Sequence, residues 1–205
     1  MGEFSKMGKI NYSAGLVSKL LWFNELKRTA QLLQEIEDKE EVKEVIIRDN
    51  VYQINNIERA TRIYNYCLKR LKDIDDELID ILINGDTTDS KIIAVILTMK
   101  CEKLLFDFVY EVYREKIMLG DYEITDKDTR AFFDYKVTQS DEIARWSESS
   151  FAKLSQTMLK MLAEGGLIVQ DVRKRTVERP LMSSRLENYL KNNMNVYYKA
   201  IMGES

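Results

Sequence analysis

Apolar side chains recur at spacings of three and four along almost the whole chain, the period of an amphipathic helix. The pattern predicts helices over 16–37, 39–49, 55–72, 75–84, 88–118, 126–137, 147–164 and 183–199. Asn55, Asp126 and Ser147 precede three of these as N-cap candidates, since their side-chain oxygens can accept from the free amides of a first turn. "NGD" at Asn84 to Asp86 reads as a turn. "EGGL" at Glu164 to Leu167 ends a helix, because glycine takes the left-handed position there at little cost. Only Leu167 to Val177 reads as strand, a hairpin about Arg173 to Arg175. The architecture predicted is mainly α: a helical bundle with helix-turn-helix and winged-helix-like elements and one short β-hairpin. Residues 10–140 would form a helical domain containing a helix-turn-helix-like segment at 39–72. Residues 141–205 would form a winged-helix-like C-terminal part, with the boundary near Ser140. The sequence contains no internal repeat and no low-complexity linker.

Composition narrows this picture. A chain of 205 residues with 45% hydrophobic residues can bury a sizeable core, and one proline with eight glycines disfavours a loop-rich β fold. The two cysteines, Cys67 and Cys101, form no C-x-x-C pair, which argues against zinc and points to reduced thiols of a cytoplasmic protein. Histidine is absent, so every Ser-His or Cys-His mechanism is excluded. The apolar run "IIAVILTM", Ile92 to Met99, is far shorter than the roughly 20 residues a membrane helix needs. "MGEFSK" stands before a second start at Met7, so residues 1–9 are expected to be a vector-derived leader and disordered start.

The net charge of -3 gives no global case for a nucleic-acid partner, but the charge is blocked. Residues 35–44 hold six acids and two lysines, and residues 73–90 hold seven acids and no base. Residues 55–72 hold five bases and one acid, and residues 145–191 hold nine bases and five acids. Two basic blocks on an acidic chain are the informative feature.

On a wheel of about 100° per residue, Ile57, Ala60, Tyr64, Leu68 and Leu71 fall on one face of the 55–72 helix as core. Arg59, Arg62, Tyr66, Lys69 and Arg70 gather opposite. Such a face suits phosphates, which take several charge-assisted contacts. Asn55 and Asn56 add polar groups at the helix start, where free amides also bind phosphate. The competing reading is a solvated basic face that pairs with the acidic block 73–90.

For 147–164 the apolar arc is Phe151, Leu154, Ser155, Met158, Met161 and Leu162. The polar arc is Ser149, Lys153, Gln156, Thr157 and Lys160, residue types that bond phosphates and base edges. The hairpin that follows carries Arg173, Lys174, Arg175 and Arg179. Helix followed by basic hairpin is the order of a winged helix, whose wing would lie on the sugar–phosphate backbone. A helix and hairpin that merely close the core fit the same pattern.

The acids of "DIDDELID", Asp73 to Asp80, lack the alternating ligands and glycine of a calcium loop and read as a solvated helix start. No P-loop and no GxGxxG occurs. No metal site, cofactor or catalytic group is expected, and the chain is not expected to be an enzyme.

Three segments together carry a family resemblance: "YSAGL" at Tyr12 to Leu16, "INGDTTDSKIIAVILTMKCEKLLFDFVYEVYREK" from Ile83 to Lys116, and "WSESSFAKLSQTMLKMLAEGGLI" from Trp146 to Ile168. In order and spacing they resemble the BrxA family of BREX bacteriophage-exclusion systems, over about residues 10–200. The resemblance implies a NusB-like helical body and a non-enzymatic, double-stranded DNA-binding accessory of phage defence, with other BREX proteins as further partners. A protein-interaction adaptor and a NusB-like RNA binder are the alternatives. The contact candidates named above come from the helical wheels, not from the resemblance. The sequence assigns no oligomeric state and no preferred DNA sequence.

Overall fold

The computed structural model describes residues 12–172 and 174–205. The expected leader and Arg173 lie outside the described residues. The helices are α1 (Phe23–Glu35), α2 (Lys39–Arg48), α3 (Ile57–Leu71), α4 (Asp76–Asn84), α5 (Thr87–Cys101), α6 (Lys103–Phe108), α7 (Arg114–Leu119), α8 (Asp126–Gln139), α9 (Glu148–Glu164), α10 (Ser184–Asn193) and α11 (Asn195–Met202). A π-helical turn at Val109–Tyr113 joins α6 to α7. Two strands, β1 (Ile168–Gln170) and β2 (Arg175–Val177), pair antiparallel with Ile168 opposite Val177. The mainly helical class with one short hairpin is the one the sequence predicts.

Helix α5 is the axis of the core. Every residue from Ile92 to Met99 is buried, so the "IIAVILTM" run is apolar all round because protein surrounds it. Helices α1, α3, α4, α6 and α9 all pack on it. One continuous apolar cluster runs from Leu16 to Ile201 and includes side chains from both sides of Ser140.

Three helices predicted as continuous are interrupted. The 88–118 segment breaks at Glu102, whose backbone is extended (φ -127°, ψ 93°) and whose carboxylate meets Lys19 Nζ at 2.6 Å in a buried pair. Neither glycine nor proline marks this break; it coincides with a long-range ionic contact. The 16–37 segment becomes a 3-10 turn at Ala14–Ser18, an extended stretch and then α1. Its bend at Trp22 is left-handed (φ 48°). The 183–199 segment breaks at Met194.

Two caps shift by one residue. Asn56, not Asn55, caps α3 by accepting from the Arg59 amide at 2.7 Å. Thr125, not Asp126, caps α8 in a reciprocal capping box with Asp128. Ser147 caps α9 as predicted. Behind α9, Gly166 takes the left-handed position (φ 77°), while Gly165 lets α9 approach α5: a Cβ there would lie 2.2 Å from Val95 Cγ2.

Candidate nucleic-acid interface

Helix α3 presents Arg59, Arg62 and Lys69 to solvent, and none of them makes an ion pair with a described residue. Tyr66 is half-buried and stacks on Trp22 at 5.6 Å, with Lys19 Nζ 5.0 Å above its ring. Asn55 is exposed, and Asn56 is exposed but committed to its cap. The acidic block does not neutralise this face. Asp80 instead holds Arg185 at 2.6 Å and Asn84 at 2.7 Å, Asp75 accepts from Tyr189, and buried Asp89 accepts from the Ser183 amide and hydroxyl.

Two wheel assignments on this helix are corrected, and one rotation explains both. The buried face is Ala60, Ile63, Tyr64, Cys67 and Arg70, turned by about 60° from the predicted arc at ~100° per residue. Arg70, predicted on the contact face, is 2% exposed. Its guanidinium donates to the Leu21 carbonyl at 2.5 Å and the Leu20 carbonyl at 2.8 Å, and lies 5.6 Å from the Trp22 ring. Burial lowers its pKa from the ordinary value. Ile57, predicted in the core, is instead 63% exposed. Ile63 and Cys67, apolar positions left out of the predicted arc, draw the buried side toward Arg70, and tertiary contacts fix it. The Tyr64 hydroxyl reaches the Lys39 carbonyl of α2 at 2.5 Å, and Cys67 is buried in the cluster, where desolvation pushes its thiol up to about 11.

On α9 the predicted arcs hold in part. Ser149, Lys153, Gln156 and Lys160 are exposed, and Leu154, Met158, Met161 and Leu162 are buried, but Phe151 and Ser155 of the predicted apolar arc are only half-buried and Leu159, on neither arc, is buried. Thr157 of the polar arc is half-buried and bonds back to the Lys153 carbonyl. Lys160 lies 3.8 Å from Glu164 on its own helix.

The hairpin differs from α3. Arg175 is bound to Asp126 at 2.7 Å, and Lys174 stands 3.7 Å from Glu123. The reason is topological. The segment before α8 adds a third line to the little sheet, with Glu123 bridged to Thr176 and Ile124 donating to the Arg175 carbonyl, so Glu123 and the first residue of α8, Asp126, lie beside Lys174 and Arg175. Arg179 is exposed.

The candidates therefore form two groups, one on α3 and one on α9 with the hairpin. The chain before α1 connects them. Its 3-10 turn packs on α9, and its Leu20 and Leu21 carbonyls are held by Arg70 of α3.

Sequence reasoning missed a buried ionic cluster. Lys136 of α8 donates to Asp107 at 2.9 Å and to Glu111 at 2.5 Å. Lys103 and the Tyr12 hydroxyl share Asp107. Burial raises the Glu111 pKa against the pull of Lys136. A signal was present: Asp107 interrupts the apolar run "LLFDFV", and Lys136 follows Phe132 and Phe133 on their core-facing stripe. The cluster ties Tyr12, α6, the π-helical turn and α8 together. Among the described residues no group of three or more metal-ligating side chains occurs, and no helix is long and apolar enough to cross a membrane.

Comparison with known proteins agrees on one family. The chain is 34% identical over 194 residues to a BREX protein BrxA of Bacillus cereus (strain H3081.97), covering 94% of this chain and 97% of the relative. A crystal structure of an uncharacterized protein from Magnetospirillum magneticum superposes with a TM-score of 0.77 at 20% identity, covering 93% of this chain and 97% of the other, a likeness of fold alone. The BrxA family profile matches residues 10–194, and the chain belongs to the BrxA family of BREX phage-defence systems.

Proposed function

We propose that this BrxA-family protein is a non-enzymatic component of phage defence that binds double-stranded DNA through α3, mainly by contacts to phosphates. The observation that carries the reading is the exposed Arg59, Arg62 and Lys69 on one helix, free of ion pairs with described residues in a chain of net charge -3. Cations already neutralised by carboxylates release no DNA counterions on binding, whereas these three would. The helix-turn-helix-like pair of α2 and α3 supports the same placement, as α2 packs along α3. In this reading α9 and the hairpin are a secondary contact. Lys153 and Gln156 line its surface, and Lys174 and Arg175 of the wing contribute little while Glu123 and Asp126 hold them. The protein acts in the cytoplasm, with other BREX proteins as further partners.

Retardation of a duplex at about 50 and 200 mM salt tests the proposal. Binding at the lower salt should fall steeply at the higher, with a slope set by about three neutralised phosphates. No retardation at the lower salt overturns it. A second reading, an adaptor for other defence proteins, would draw on exposed apolar side chains such as Leu119, Val172 and Leu181. Copurification with neighbouring defence proteins in nuclease-treated buffer, without any duplex binding, would replace the first reading with the second.

A further inference from the structure

Helix α3 carries a shallow groove of about 580 Å³ along its exposed side, lined by Ile57, Glu58, Thr61, Arg62, Asn65, Tyr66 and Lys69. Two i, i+4 rows form its walls, Ile57–Thr61–Asn65 and Glu58–Arg62–Tyr66. A face built only for phosphates has no use for a largely exposed isoleucine in its first turn, nor for the carboxylate beside it, which repels phosphate. Ile57 and Glu58 stand at the helix start with exposed Asn55 just before them; the exposed cation Arg59 follows directly, and Arg62 and Lys69 lie further along.

Duplex DNA offers one apolar group in the groove that admits an α-helix, the C5 methyl of thymine, and its paired adenine offers N6 and N7 to an asparagine side chain. We propose that α3 reads sequence as well as charge: Ile57 packs on a thymine methyl, Asn55 bonds the adenine edge in the same short run of A·T pairs, and Arg59, Arg62 and Lys69 fix the register on flanking phosphates. The inference rests on the DNA-binding reading above and adds specificity-determining residues to it. Asn56 does not join them, because its side-chain oxygen is spent on the Arg59 amide.

The test replaces thymidine by deoxyuridine throughout a short A·T-rich duplex, which removes the methyl and leaves the Watson–Crick pairing and backbone charge unchanged. The full-length protein should bind the thymine duplex about fourfold more tightly per methyl buried. Ile57→Ala should bind both duplexes equally. Ile57 is exposed, so its truncation leaves the fold intact, and an unchanged thermal midpoint verifies this. Asn55→Ala should lose preference for A·T over G·C duplexes. Arg62→Ala should weaken binding to the thymine and uracil duplexes by the same factor. Equal wild-type affinity for thymine and uracil duplexes overturns the inference and leaves the phosphate reading standing, and so does a thymine preference that survives in Ile57→Ala. If neither duplex binds at low salt, the DNA-binding reading itself falls.

Discussion

Helix α3 and the β1–β2 hairpin are the two arginine-rich regions of the chain, and the fold treats them in opposite ways. On α3 the bases that reach solvent meet no carboxylate of a described residue, and the one that does not, Arg70, is buried against backbone carbonyls. In the hairpin Lys174 and Arg175 stand against acids, Glu123 from the α7–α8 connection and Asp126 from the start of α8. A basic block in a sequence is a count of charges, whereas a binding face is what remains after pairing and burial. Arg70 and Arg62 show the same lesson within one helix: eight residues apart, one holds the chain together and the other is available to a partner.

Removing Arg70 separates those two roles most sharply. Arg70→Ala strips the bonds from the Leu20 and Leu21 carbonyls and leaves a cavity beside Trp22, so it should cost about 3 kcal/mol or more of folding stability. A urea titration measures this, and Arg62→Ala in the same titration should leave the midpoint where it was. If the two variants unfold alike, the structural role assigned to Arg70 is wrong.

The next effect bears on binding. Arg59→Glu with Arg62→Glu should lower duplex affinity on the order of a hundredfold by loss of two charge-assisted contacts. It should also flatten the salt slope by roughly two. Lys174→Glu with Arg175→Glu should change affinity by no more than about threefold, because those charges are already partnered. Comparable losses from both double variants would put the hairpin back in the interface.

The smallest effect sharpens the comparison from the other side. Asp126→Asn frees Arg175 without touching the Thr125–Asp128 capping box, and should raise duplex affinity by roughly two- to threefold at low salt. A decrease in fluorescence-anisotropy titrations would mean that Asp126 positions the arginine rather than muting it.

The candidate site was legible in part. Arg59, Arg62 and Lys69 lie on the exposed side of α3 as the wheel predicts, and the polar arc of α9 is intact, because helical periodicity is local. The wheel failed at Arg70 and Ile57 together. The apolar arc of α3, from Ile63 through Cys67, Ala60 and Tyr64 to Ile57 and Leu68, spans about 140° at ~100° per residue, and the predicted arc left out Ile63 and Cys67 on the side next to Arg70. The partners Tyr64–Lys39 and Arg70–Leu21 that fix the angle are 25 and 49 residues away in the chain. The break at Glu102 and the pairing of Arg175 with Asp126 were likewise invisible, since each involves a residue far along the sequence.

What the sequence determined alone is the mainly helical class, the rough extent of the helices over 39–84 and 126–164, the turn at the double glycine with its hairpin, and the family. These follow from periods and residue chemistry that act within a few turns. Tertiary structure decided where helices break, how α3 is rotated, and which of the basic residues stay free. Those outcomes turn on buried polar groups needing partners, and a partner is chosen by proximity in space, which no local pattern carries.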